Sequence, residues 1–70
     1  MNFYAYIPRE DGSKPVGSFD QMLITDLKTV KGAMQRIRRH PHWAHKPFVI
    51  QTFTNLYDEK TFRTVYTERF

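Results

Sequence analysis

Apolar and hydroxyl-bearing side chains alternate from the start of the chain. Phe3, Ala5 and Ile7 fall on one parity and Tyr4 and Tyr6 on the other, until Pro8 interrupts. Successive side chains of a strand point to opposite faces and proline ends the ladder, so the pattern predicts a strand over residues 2–7. The following "REDGSKPVGS" gathers glycine, proline, Asp and Ser, each favouring turns for its own reason, and predicts a loop. In "FDQMLIT" (residues 19–25) Phe19, Gln21, Leu23 and Thr25 alternate with Asp20, Met22 and Ile24, which fits a short second strand.

The period then changes. Leu27, Val30, Met34 and Ile37 recur at helical spacing with Ala33 beside them, and Asp26 precedes them as an N-cap residue for "LKTVKGAMQRIRR". The helix is expected to stop near His40, because Pro41 disfavours helical backbone in its predecessor and offers no N–H. Beyond the "PHWAHKP" loop, "FVIQTFTNLY" and "TFRTVYTERF" are rich in β-branched and aromatic residues and flank the polar turn "DEK", which reads as an antiparallel hairpin. In its last strand Phe62, Thr64, Tyr66 and Phe70 are assigned to one face, and Arg63, Val65 and Arg69 to the other. Together these segments predict one small α+β domain spanning residues 1–70. It would be an antiparallel sheet of three or four strands with one amphipathic helix packed on one face, in the order β(β)αββ.

One helix covers one face of such a sheet. If Phe3, Ala5 and Ile7 meet the helix, Tyr4 and Tyr6 stand on the other face, where exposed aromatics stack unpaired bases in several RNA-binding modules. Tyrosine is also simply a good strand former whose hydroxyl tolerates water.

Charge sharpens the picture. The net charge of the 70-residue chain is +4, yet no acid lies between Asp26 and Asp58, a span holding Lys28, Lys31, Arg36, Arg38, Arg39 and Lys46. On a helix Lys28, Lys31, Gln35 and Arg39 gather on one face, flanked by Arg36 and Arg38. Surface helices carry Lys and Arg for propensity and solubility, and cations near the C-terminus also suit the helix dipole. An ordinary solvated helix, however, interleaves carboxylates with its cations, and this stretch has none. The contrast points to an anionic partner: nucleic acid, a nucleoprotein complex, or an acidic host protein met by bidentate arginines.

Candidate chemistry is sparse. "HPHWAH" holds three imidazoles, but no fourth ligand lies nearby and one histidine is at a helix end, so no metal or cofactor is expected. Trp43 in that segment either closes the core over the helix end or, beside arginines, anchors a partner. There is no cysteine and no glycine-rich phosphate loop, and no acid accompanies the histidines in sequence, so a non-enzymatic protein is expected. With no cysteine, no apolar run near the roughly 20 residues of a membrane span, and no signal-peptide pattern in "MNFYAYIPRE", the expectation is a cytoplasmic chain without membrane association.

At "TDLKTVKGAMQRI" the chain resembles the helix entry of small ββαββ proteins carried by phages and other mobile elements, including some anti-CRISPR inhibitors. Asp26, Leu27, Val30 and Lys31 occupy the characteristic positions, with Val30 where Ala is usual. The resemblance implies a stand-alone inhibitor or regulator of a host nucleoprotein machine and assigns no functional residue. The leading expectation is a small basic binding protein that engages nucleic acid or a nucleic-acid-binding complex. It would do so through Lys28, Lys31, Gln35, Arg36, Arg38, Arg39 and Lys46, with Tyr4, Tyr6 and Trp43 as candidate interface aromatics. The alternative is a protein-binding inhibitor using the same helix or the "HPHWAH" loop, and a third reading is a homodimer through sheet faces or edges.

Overall fold

A computed structural model describes residues 2–69. Among them the chain runs through β1 (Asn2–Tyr6), β2 (Gln21–Ile24), the helix α1 (Val30–Arg38), β3 (Phe48–Phe53) and β4 (Arg63–Glu68). The strands form one antiparallel sheet in the order β2-β1-β3-β4. The protein is thus a small α+β fold, and β1 is an interior strand with neighbours on both edges.

Strand alternation divides the interior in two. Phe3 and Ala5 of β1, Ile24 of β2, and Phe48 and Ile50 of β3 share one face and cluster with Ala33 and Ile37 of α1 and with Trp43. Tyr4 and Tyr6 point the other way and cluster with Phe53, Val49 and Phe62. The second face is therefore not the open platform expected from the alternation. Both tyrosines are only 9% exposed, because the β1–β2 connection and the end of the β3–β4 connection fold across them.

The helix begins later than its apolar period suggests. Thr29, not Asp26, is the N-cap: its backbone is extended and its Oγ1 accepts from the Gly32 amide at 3.1 Å. A Cβ on Gly32 would stand 3.1 Å from that same Oγ1, so the missing side chain leaves room for the cap. Asp26 is taken up elsewhere, by Arg36. Lys28 consequently lies before the helix, and α1 keeps only Lys31 in its first turn.

Past Arg38 the backbone keeps turning. The His40 amide donates to Ile37 O (3.0 Å), and the Trp43 and Ala44 amides donate to His40 O (2.9 and 3.0 Å). This compact turn carries Trp43 into the first cluster, 1% exposed and 6.4 Å from the ring of Phe48. Trp43 is a core residue here, not a surface anchor.

The hairpin differs from its sequence reading in two respects. β3 stops at Phe53, and residues 54–62 form a longer connection with a single 3₁₀ turn at Glu59–Thr61, which leaves Tyr57 93% exposed. The register also slips: Ile50 pairs with Tyr66 whereas Gln51 pairs with Thr64, so Val65 is an extra residue, a β-bulge. The bulge reverses alternation within β4. Tyr66 packs on the first cluster, while Thr64 accepts from Gln51 Nε2 (3.3 Å) and Phe62 joins the second cluster. Phe62, Thr64 and Tyr66 therefore do not share a face, and Phe70, placed with them from the sequence, lies outside the described residues.

Trp43 supplies the test of this core. Truncating a buried tryptophan costs about 3–5 kcal/mol, and a chain this small holds about 4–10 kcal/mol at roughly 0.05–0.15 kcal/mol per residue. Trp43→Ala should abolish cooperative thermal unfolding near physiological temperature or lower the midpoint severely. Melting followed by circular dichroism reads this, and a near-wild-type midpoint would contradict the core placement.

Candidate functional site

Six cations were expected to form one uncompensated basic surface, and the fold engages several of them internally. Arg36 Nη1 donates to Asp26 Oδ1 at 2.5 Å, across the helix start. Arg38 donates to both Glu68 and the Tyr66 hydroxyl, tying the end of α1 to β4, and that hydroxyl donates in turn to Glu68. Lys46 Nζ lies 3.3 Å from His42 Nδ1, and His42 Nε2 lies 2.8 Å from Asp20 Oδ1. A carboxylate only accepts and an ammonium only donates. His42 Nε2 is thereby the donor to Asp20, while Lys46 Nζ stands nearly equidistant, 3.3 and 3.4 Å, from the two ring nitrogens.

The absence of acids along residues 27–57 is therefore compensated from outside that span. Asp26 precedes it, Glu68 comes from the last strand, and Asp20 comes from the 3₁₀ turn before β2. Protonation preferences follow. The hydrogen bond from Arg36 holds the Asp26 carboxyl below the ordinary aspartate range and raises Arg36. The Tyr66 hydroxyl first, and Arg38 second, hold Glu68 below the ordinary glutamate range, while Tyr66 is raised chiefly by its bond to Glu68.

What remains of the basic surface is narrower. Lys31, Gln35 and Arg39 are exposed and follow one another at intervals of four along α1 and its C-cap, with exposed Lys28 just before the helix. Among the described residues none of Lys28, Lys31 and Arg39 is in an ion pair. Gln35, Arg36 and Arg39 line a shallow groove with Leu27 and Gly32. His40 and His45 are exposed, and among the described residues no three His, Asp or Glu side chains are placed to hold a metal ion.

The tyrosines belong to a different constellation. Lys14 reaches over the second face, its Nζ 5.3 Å from the Tyr4 ring centroid, 5.9 Å from Tyr6 and 4.8 Å from Phe62. Tyr4 Oη donates to Gln21 Oε1 (2.9 Å), and Gln21 Nε2 donates to the carbonyls of Pro15 (3.1 Å) and Gly17 (3.3 Å), so one glutamine fastens the loop to the strand beneath it. Burial, with Tyr6 adjacent, raises the Tyr4 hydroxyl above the ordinary tyrosine range and keeps it a donor. Lys14 lies outside the acid-free span, where five cations face seven acids, so the charge pattern does not mark it. The proline and glycine turn signals around it were its one local cue, and Phe62 was hidden by the bulge.

Exposed apolar side chains gather elsewhere. Val16 (90% exposed), Leu23 (52%) and Leu56 (43%) line a depression beside the edge strand β2, with Tyr4 and Gln21 in its wall. No family model matches the chain, and no curated protein or solved structure is similar to it at a significant level.

The Glu68 network gives a pH test. A depressed folded pKa means that the unfolded chain binds the proton more readily, so the stabilisation is complete above the ordinary glutamate value of 4.5 and is lost as pH falls through the lower folded value. Glu68→Gln should lower the melting temperature by a few degrees at neutral pH. Its curve should converge with wild type in acid, where Glu68 is itself protonated. A gap independent of pH would show that packing, not charge, carries the contribution.

Proposed function

We propose that the protein is a small non-enzymatic binding protein that engages nucleic acid, or a nucleic-acid-binding complex, through Lys28, Lys31, Gln35 and Arg39. The observation that supports this most is the sorting of charge along one segment. Arg36 and Arg38 are bound to carboxylates, whereas Lys31 and Arg39 stay exposed on the line that Gln35 shares, with exposed Lys28 just before the helix, and among the described residues none of these three cations is in an ion pair. Cations held for solubility alone gain nothing from such alignment, while a phosphate backbone offers repeated anionic oxygens to a row of donors. The positive end of the helix dipole adds to the field of Lys28 and Lys31. In this reading α1 is seated on one face of the sheet by Ala33 and Ile37 and turns the Lys31–Arg39 line outward.

A second reading has its own support. The resemblance of residues 25–37 to small ββαββ proteins of phages and mobile elements favours an inhibitor that blocks a host protein. The depression bordered by Val16, Leu23 and Leu56 is the apolar surface such a contact would use.

Fluorescence anisotropy with labelled single-stranded RNA, single-stranded DNA and duplex DNA separates the two. Three phosphate contacts on duplex DNA should give a slope of log K against log salt near −2.7, at about −0.9 per contact. Lys31→Gln with Arg39→Gln should bring that slope to about −1. Arg38→Gln should instead lower thermal stability with little change in affinity. Undetectable binding at low salt would overturn direct nucleic-acid recognition, and Leu23→Asp would then be the variant to test against a protein partner.

A further inference from the structure

The three rings beneath Lys14 have the layout of a cation receptor. Tyr4 and Tyr6 lie 5.6 Å apart with planes inclined by 30°, forming a floor, and Phe62 stands edge-on to Tyr4 at 5.8 Å and 87°, forming a wall. The walls are held from behind. Phe62 stacks on Phe53 at 4.8 Å and 14°, Tyr4 is bonded to Gln21, and both tyrosines belong to the interior strand. Lys14 Nζ occupies the corner within 6 Å of all three centroids, where the negative faces of aromatic rings attract a cation.

The occupant fits the corner imperfectly. A primary ammonium is compact and strongly hydrated, and it is best satisfied by oxygen acceptors. Lys14 is in none of the ion pairs among the described residues, and its side chain is exposed. A quaternary ammonium group spreads the same charge over methyl groups that pack on ring faces, and it has no N–H to leave unsatisfied. Lys14 is exposed where it lies over the rings and the tyrosines beneath it are 9% exposed, so a ligand reaches the ring faces by displacing that side chain.

We propose that Tyr4, Tyr6 and Phe62 form a recognition corner for a quaternary ammonium group, occupied in cis by Lys14, which an incoming ligand displaces. The inference is independent of the basic helix line, because the tyrosines point away from the cluster that Ala33 and Ile37 share. A ligand that must expel an intramolecular occupant binds more weakly by the fraction of time the corner is free.

The test is an NMR titration with tetramethylammonium chloride, matched against sodium chloride, on wild type and on Lys14→Ala. In wild type the Lys14 ε-methylene protons should start shielded by the rings and lose that shielding as the ligand saturates. In Lys14→Ala the ring signals of Tyr4, Tyr6 and Phe62 should shift saturably, with affinity about tenfold higher if Lys14 fills the corner roughly nine-tenths of the time. Adding Phe62→Leu to Lys14→Ala should remove the saturable response while the backbone spectrum stays folded. Choline and trimethyllysine amide, titrated in parallel, distinguish a small-molecule source from a methylated protein by which binds more tightly. Ring shifts no different from those in sodium chloride, in wild type at high concentration or in folded Lys14→Ala, would overturn the proposal. Equal affinity in wild type and Lys14→Ala would overturn the displacement of Lys14.

Discussion

The rest of the structure depends on the need to cover β1 from both sides. Its residues alternate between two clusters, Phe3 and Ala5 with no exposure on one face and Tyr4 and Tyr6 nearly buried on the other, yet the described chain has a single α-helix. A chain of this length buries only about 60% of the surface its unfolded form exposes, so loops must serve as core material. Two of them do. The turn after α1 delivers Trp43 to the first face, and the β1–β2 connection lays Lys14 and buried Pro15 across the second. The β-bulge at Val65 completes the arrangement, with Phe62 on one face and Tyr66 on the other, so the edge strand and the residue leading into it serve both clusters.

The same economy governs the charges. Arg36 and Arg38 lie on a helix that carries no acid, and a linear count makes them free. In the fold they bridge elements: Arg36 reaches the segment before the helix through Asp26, and Arg38 ties the end of the helix to the last strand through Glu68 and Tyr66. Exposed ion pairs contribute modestly to stability, because solvent screens them and ordering long side chains opposes them. Their consequence for recognition is larger, since a cation already bound to a carboxylate must exchange that partner before it can meet a phosphate. Among the described residues Lys28, Lys31 and Arg39 are in no ion pair and carry no such obligation.

Much of the secondary structure was legible because each element carries its own period. Phe3, Ala5 and Ile7 announce β1, and Val30, Ala33, Met34 and Ile37 announce α1, without reference to any distant residue. Where the reading went astray, the deciding partner lay far along the chain or the signal was a single atom. Asp26 looked like the N-cap until Arg36, ten residues on, took its carboxylate, and Thr29 prevailed through a hydroxyl that accepts from the Gly32 amide. The bulge leaves no mark in composition, since Val65 is an ordinary strand residue. Misplacing it moved Phe62 off the face where it meets Tyr4. For the candidate site, the cations were nameable from sequence but their pairing was not. The aromatic corner was half visible as two tyrosines and wholly unexpected as a complex with Lys14.

A domain built this way does not separate residues that recognise from residues that stabilise. Tyr4 is the clearest case: its ring floors the corner under Lys14, its hydroxyl holds Gln21 and through it the loop, and its backbone pairs with Leu23 on one side and Gln51 on the other. Loss of that side chain would loosen the loop, the edge strand and the second cluster together, so a lost activity on its own would not identify a binding residue. Lys14, Lys31 and Arg39 are different, because they are exposed and, among the described residues, in none of the ion pairs. Specificity in so small a chain is therefore best sought in side chains that rest on the core without belonging to it, and both the basic line and the occupant of the aromatic corner meet that condition.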